Sequence, residues 1–369
     1  MKGKRIVIKI GTNVLQESNG KLDYKLIDKL AEQITIIREK GHEVLVVTSG
    51  SIGAGREICS VDESLNIQAS HQILASVGQA RLIQIYAGAF GKNKITVAQI
   101  LLTRGDFGIR KSYLNIRKTL ENLLKNKIIP IINENDVVAT EELDLNFGDN
   151  DILAVYLATL IGADQLFLLT VAPGLLKEDH SKQGNSFIVV EKVEVLTEDI
   201  LKHCLPMTSE GGKGGMESKV RSAGMAMSFG IDTFIIDGKY PSNVYEILKG
   251  EKKGTHFVGR GRKIRSYQKW LAAGALNKGT LVIDQGAEIA LLKNKKSLLA
   301  RGITKVEGKF EVKDLVEVCN REGVRLGVGR SDFSSKLLRK KINDKNQKKE
   351  SGESISNKPV IHRNHLFLE

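Results

Sequence analysis

The chain has 369 residues, 41% apolar and 27% charged, ordinary values for a globular protein and enough length for two domains. Three scattered cysteines (Cys59, Cys204, Cys319) exclude a disulfide framework, and the most apolar segments run only about a dozen residues between charges, too short to span a bilayer. The opening residues, MKGKRIVIKIG, hold no apolar stretch suited to a signal peptide, so a reducing, cytoplasmic setting without membrane contact is expected.

The net charge of +13 is unevenly placed. Residues 1–259 hold 31 Lys+Arg against 31 Asp+Glu, whereas residues 260–369 hold 25 against 12. The asymmetry marks a boundary and gives the C-terminal part the electrostatic footprint of a polyanion binder. A basic surface kept for solubility is the plainer reading of the same charge.

In chain order, RIVIKI (5–10) reads as a β-branched strand ending in Gly11-Thr12-Asn13. Leu26, Ile27, Leu30, Ile34 and Ile37 form a helical stripe over 23–40, with Gly41 placed to end it. EVLVVTSG (43–50) is a second strand, breaking into a loop, GSIGAG. A helix-length segment at 67–90, a strand at 95–103, a helix at 112–126 and a strand at 128–136 follow. QLFLLT (165–170) and IDTFIID (231–237) supply two more strands, with a helix at 216–229 between them. Near-continuous Ile/Val/Leu strands separated by helices imply a parallel sheet covered on both faces, which binds ligands at the carboxyl ends of its strands. Those ends read Lys9 to Thr12, Thr48-Ser49-Gly50, Asn133 to Asp136, and Thr170.

After residue 255 the pattern changes. A basic, glycine-punctuated stretch leads into short apolar runs separated by Gly, Asp or Asn, which read as a small β-rich barrel or sheet with two short helices. Residues 336–358 are lysine-rich and poor in apolar residues, while the final PVIHRNHLFLE is apolar enough to dock back. The expected boundaries are 1–258 for the first domain, 259–273 for a linker, 274–350 for the β-rich domain and 351–369 for a tail.

Two stretches carry chemistry. In FGDND (147–151) Asp149 or Asn150 would cap the buried helix that follows, yet three adjacent acid or amide side chains exceed what one cap needs. They suit binding an ammonium group or orienting lysines. In GGKGGMESK (211–219) glycines let backbone N–H groups approach an anion at a helix start, and Lys219 falls in the first turns. The spacing is not that of a Walker A loop, and a flexible surface loop is the plainer reading of such glycines. Lys9 shifts that balance, because a lysine at the end of a buried strand is costly unless an anion meets it. No motif for a dinucleotide fold, a serine hydrolase elbow or a zinc protease is present, and His362 with His365 lacks acidic or cysteine partners for a metal.

Taken together, VIKIGTNVL, VTSGSIGAGRE, SVGQARLIQIY, QILLTR, INENDVVAT, FGDND and GGMESK resemble, in order and spacing, the glutamate 5-kinase family, and the C-terminal part resembles the PUA domain, an RNA-binding module type. The resemblance implies an α/β/α sandwich around a mostly parallel eight-stranded sheet (the amino acid kinase fold) plus a small β-rich PUA-like domain. It implies transfer of the γ-phosphoryl of ATP to the side-chain carboxylate of L-glutamate, the first step of proline synthesis, with Mg²⁺ accompanying ATP. It further implies a homo-oligomer, dimer or tetramer, with proline as feedback inhibitor; RNA binding by the C-terminal domain is a further expectation. By position, Lys9 and Lys219 resemble the pair that holds the phosphates and the transferring group, with Asp151 orienting them. Ser49, Asp136 and Asn150 resemble the glutamate-binding residues, with Asp149 beside them. Thr170, Gly214, Gly215 and Met216, with both lysines, resemble the nucleotide site. Val171, Leu176 and Lys213 depart from the family pattern, all on the nucleotide side. The alternatives are a kinase for another amino acid, such as acetylglutamate or aspartate, and an RNA-binding protein with a vestigial kinase domain.

Overall fold

The computed structural model describes residues 3–62, 64–139, 150–178, 186–202, 215–259, 278–346 and 358–368. The chain opens with β1 (Arg5–Ile10), α1 (Thr12–Leu15), α2 (Tyr24–Glu39) and β2 (Glu43–Val47). There follow α3 (Ser51–Arg56), α4 (Ile67–Gly91), β3 (Val97–Leu102), α5 (Arg104–Gly108), α6 (Arg110–Lys125) and β4 (Ile129–Glu134). Next come α7 (Asn150–Ile161), β5 (Gln165–Thr170), the hairpin β6 (Leu176–Glu178) and β7 (Phe187–Val189), β8 (Lys192–Val193) and α8 (Glu198–Lys202). Then α9 (Met216–Ser228), β9 (Asp232–Asp237), α10 (Ser242–Lys249) and β10 (Thr255–Phe257) complete the larger sheet.

That sheet has eight strands in the order β3-β4-β2-β1-β5-β9-β10-β8. The six strands from β3 to β9 run parallel; β10 turns back antiparallel to β9, with β8 parallel to it. The fold class inferred from the alternating pattern is therefore present, a mostly parallel sheet sandwiched between helices. β1 lies at its centre, with Lys9 in register with Val47 on β2 and Leu168 on β5. Successive side chains of a strand point to opposite faces. Ile6, Ile8 and Ile10 accordingly enter a core with Val44 and Val46 of β2, Phe167 and Leu169 of β5, and the apolar stripes of α2 and α4. Lys9 falls on the opposite face, where α7 packs on β1 and α9 packs on α7.

Local sequence sets the helix ends. Asp23 caps α2 by accepting the Leu26 N–H (2.9 Å), and Gly41 leaves the helix at φ +86°, a left-handed conformation that glycine adopts at little cost. GSIGAG, expected as a loop, is instead largely the helix α3. Gly50 turns the chain at φ +103° directly after β2, and Ser51–Arg56 coil against α4. Glycine explains how two helices approach so closely there. A Cβ on Gly78 of α4 would sit 1.8 Å from the Ser51 carbonyl oxygen, and one on Gly55 would sit 2.1 Å from that of Leu74.

Residues 278–346 and 358–368 fall in a second compact unit. Strands β11 (Gly279–Ile283), β12 (Leu298–Leu299), β13 (Ile303–Gly308), β14 (Leu315–Cys319), β15 (Arg325–Arg330), β16 (Pro359–Ile361) and β17 (Leu366–Leu368) are joined by helices at Gln285–Leu292 and Ser335–Asn346. Five of them form a mixed sheet, β13-β11-β14-β15-β17, and β12 pairs with β16. Leu281, Ile283, Val316, Val318, Phe310 and Val360 are among the side chains that fill its own core. The closing stretch docks back as expected, with β17 antiparallel to β15. His362 and His365 meet edge to face, and Arg330 lies 2.9 Å from His365 Nδ1.

The α3–α4 contact makes a paired test. Gly78→Ala forces backbone apart and should destabilise the protein by about 1–3 kcal/mol, the range for overpacking. Gly88→Ala, on the same helix with nothing within 4 Å of the added carbon among the described residues, should stabilise it by ~0.5–1 kcal/mol. Denaturant unfolding of both variants checks the claim; equal effects would show that the glycine contact does not constrain the fold.

Candidate functional site

The C-terminal edge of the parallel strands carries the polar residues, as the topology demands. Lys9 is the penultimate residue of β1, and on its face of the sheet two helices begin. Asp151 is the second residue of α7, and Lys219 the fourth of α9. The three meet: Asp151 Oδ1 lies 2.6 Å from Lys9 Nζ, and Asp151 Oδ2 lies 3.2 Å from Lys219 Nζ. Their side chains are 4%, 0% and 7% exposed for Lys9, Asp151 and Lys219. Two residues some 200 positions apart in sequence thus share one carboxylate. A carboxylate in the first turn of α7 is also favoured by the positive end of that helix.

These three groups sum to one positive charge in a buried setting, which favours an anion as their ligand. The start of α9 adds to this. Gly215 stands at its N-cap, and a Cβ there would meet nothing within 4 Å among the described residues, which suits approach of an anion to the backbone. Met216 opens the helix and is buried. Gly11, just after Lys9, donates its N–H to the Leu169 carbonyl (3.2 Å), and the Thr170 carbonyl accepts from Gly238 (2.8 Å), so the ends of β1, β5 and β9 are tied together.

One residue before Asp151, Asn150 organises a second group. Its Nδ2 lies 2.8 Å from the Thr48 carbonyl, 3.0 Å from Ser49 Oγ and 2.9 Å from Asn133 Oδ1. Nearby in sequence to Ser49, the Ser51 hydroxyl donates to Asp136 Oδ2 at 3.0 Å. Behind them Tyr86 of α4 meets the Thr48 hydroxyl at 2.8 Å. Burial pushes the Tyr86 phenol far up, so it stays protonated.

The structure therefore brings Lys9, Asp151 and Lys219 together in one cluster and Ser49 and Asn150 in a second, with Asp136 bonded to Ser51, two residues beyond Ser49. The adjacency of Asn150 and Asp151 joins the two. Thr170 stands at the end of β5, nearly buried. Asp149, Lys213 and Gly214 lie outside the described residues. Asn150 is the first residue of α7 rather than its cap. Of the departures from the family pattern, Val171 is about half exposed, and Leu176 opens the β6–β7 hairpin. Sequence reasoning missed Gln79, Ser51 and Tyr86, and named Asn133 only as a strand end. A glutamine in the long helical pattern of SVGQARLIQIY was the one available signal.

Comparison with known proteins bears on this arrangement. Residues 4–237 match the amino acid kinase family, and residues 279–351 match the PUA domain. A glutamate 5-kinase of Chlorobaculum tepidum is 39% identical over 368 residues, 99% of this chain and 97% of that protein. One from Caldanaerobacter subterraneus subsp. tengcongensis is 40% identical over 368 residues, with the same shares covered. Among solved structures, a carbamate kinase from Giardia lamblia bound to AMP-PNP matches with a TM-score of 0.50 at 17% identity, over 69% of this chain and 98% of that one, and speaks to the fold alone. With the family match spanning the larger sheet and its helices, and the relatives matching along almost their whole length, the chain belongs to the amino acid kinase family, among the glutamate 5-kinases that carry a PUA domain.

Proposed function

We infer that the protein transfers the γ-phosphoryl group of ATP to the side-chain carboxylate of L-glutamate, giving γ-glutamyl phosphate, the first step of proline synthesis. One observation carries the reading: the Lys9–Asp151–Lys219 bridge stands directly beside the Ser49–Asn150 group, on consecutive residues of α7.

The chemistry suits these groups. A carboxylate attacking a triphosphate brings anion against anion, and each unit-charge repulsion at ~4 Å costs about 4 kcal/mol at an effective dielectric of ~20. Two ammonium groups offset it, most of all as charge gathers on the leaving oxygen. We assign Lys219 to that leaving β-phosphate oxygen and Lys9 to the transferring phosphoryl group. Asp151 holds both lysines at one place and keeps them from repelling each other before the nucleotide enters. No general base is needed, because a glutamate side chain is already ionised near neutral pH. Ser49, Asn150 and Asp136, with Asp149, would bind the amino acid. Thr170, Gly214, Gly215 and Met216 would face the nucleotide.

No group of three or more His, Cys, Asp or Glu able to hold a metal occurs among the described residues. Asp151, the buried carboxylate at the site, is already paired with both lysines. Mg²⁺ would enter with the triphosphate and offset part of its charge, and phosphate oxygens and water could complete its shell. We carry forward, on the same family reading, a dimer or tetramer, feedback inhibition by proline, a cytoplasmic location and RNA binding by the PUA domain. A vestigial kinase is disfavoured, since both lysines and their carboxylate are present and assembled. Among the described residues, no helix is long and apolar enough to cross a membrane.

Lys9→Ala and Lys219→Ala should each lower kcat on the order of 10²-fold or more, the size of losing a donor to the transition state. ATP-dependent hydroxamate formation from glutamate measures this, and near-wild-type turnover would remove the residue from its role. Asp136→Ala should instead raise the KM for glutamate with a smaller change in kcat; an unchanged KM would show that Asp136 does not bind the acceptor.

A further inference from the structure

Asn150 is held with its amide in one orientation. A backbone carbonyl only accepts, so the 2.8 Å contact with Thr48 identifies the end facing it as the amide nitrogen. Ser49 Oγ and Asn133 Oδ1 share the hydrogens of that same nitrogen. Asn133 is pinned by the same logic: its Oδ1 accepts the Glu134 N–H at 2.9 Å, which turns its own Nδ2 the other way. That nitrogen donates to Gln79 Oε1 of α4, at 2.8 Å. Asn133 is 2% exposed, so its amide hydrogens need a protein acceptor. At the other end of the chain of contacts, Asn150 Oδ1 is buried and has no partner among the described residues.

We propose that Gln79 and Asn133 are positioning residues for acceptor recognition, locking Asn150 so that its amide oxygen, and not its nitrogen, is presented to the ammonium group of the substrate. The inference rests on glutamate being the acceptor, because its α-ammonium is the donor that Oδ1 then meets. A flipped Asn150 would set N–H groups against that ammonium and lose the contact with Thr48 as well. Gln79 itself touches no substrate. Its oxygen accepts the hydrogen that Asn133 would otherwise bury without a partner, and without it Asn133 loses the tie that holds its Oδ1 in place against Asn150. Helix α4 thereby acts on specificity from behind the sheet edge.

The full-length protein tests this with the hydroxamate assay on wild type, Gln79→Leu, Gln79→Glu and Asn150→Ala. Gln79→Leu should raise the glutamate KM about tenfold, the worth of one hydrogen bond to a charged group, with kcat within about twofold of wild type. Gln79→Glu keeps an oxygen at the same reach and should restore the KM. In the Asn150→Ala background, Gln79→Leu should change kcat/KM no further, because its effect runs through Asn150. An unchanged KM in Gln79→Leu, a lowered kcat without a KM change, or full additivity with Asn150→Ala would each overturn the proposal. A wild-type protein that binds ATP yet leaves glutamate unphosphorylated would instead overturn the assignment of the acceptor, and the relay with it. That result is distinct from an active wild type matched by its variant.

Discussion

Everything at this site depends on a carboxylate with no exposed surface holding two ammonium groups. Removing one such charge from water is expensive, and a single ion pair in a protein interior seldom stabilises a fold by itself. Here the arrangement makes sense as a device for binding anions. Asp151 neutralises one lysine's worth of charge, which lets two lysines stay buried and close. The surplus positive charge remains available to an anionic ligand. The same carboxylate fixes geometry, because Lys9 comes from a rigid central strand and Lys219 from a helix start, and both are drawn to one point.

That point is set by the sheet. Alternation along β1 sends Ile8 and Ile10 into the core with α2 and α4, and sends Lys9 to the face of α7 and α9. A shift of one residue in the register of β1 would reverse both. The apolar alternation that stabilises the domain and the placement of Lys9 are thus one feature of the chain. Helix α7 couples the two polar groups in a similar way. Asn150 and Asp151 are neighbours, so whatever fixes the start of that helix fixes the Ser49–Asn150 group and the lysine pair together.

Helix α4 contributes more than packing. Gly78 lets it lie against α3, which carries Ser51 beneath Asp136, while Gln79 and Tyr86 reach the backs of Asn133 and Thr48. A rigid helix can hold a polar network more reliably than a loop can, because its side chains are ordered before ligand arrives. The glycine contact and the hydrogen bonds lie on consecutive residues, 78 and 79, so close approach and polar support arise from the same short stretch.

The amino-acid sequence determined the alternation of strands and helices, the parallel sheet, the change of character after residue 255, and the two lysines with the FGDND acids. Those features are written locally, as β-branched runs, as an apolar stripe with Asp23 and Gly41 at its ends, and as charges where burial is costly. GSIGAG looked like a loop because glycines lower helix propensity, and the reason it coils lies on another helix, at Gly78. FGDND offered Asp149 or Asn150 as a cap with polar groups to spare, and the amide orientation of Asn150 is fixed by Thr48 and Asn133, which are distant in sequence. That Lys9 and Lys219 share one carboxylate, and that Gln79 stands behind Asn150, was decided only by the tertiary structure. Ion pairs and amide orientations are properties of distances in space, and no periodicity along the chain records them.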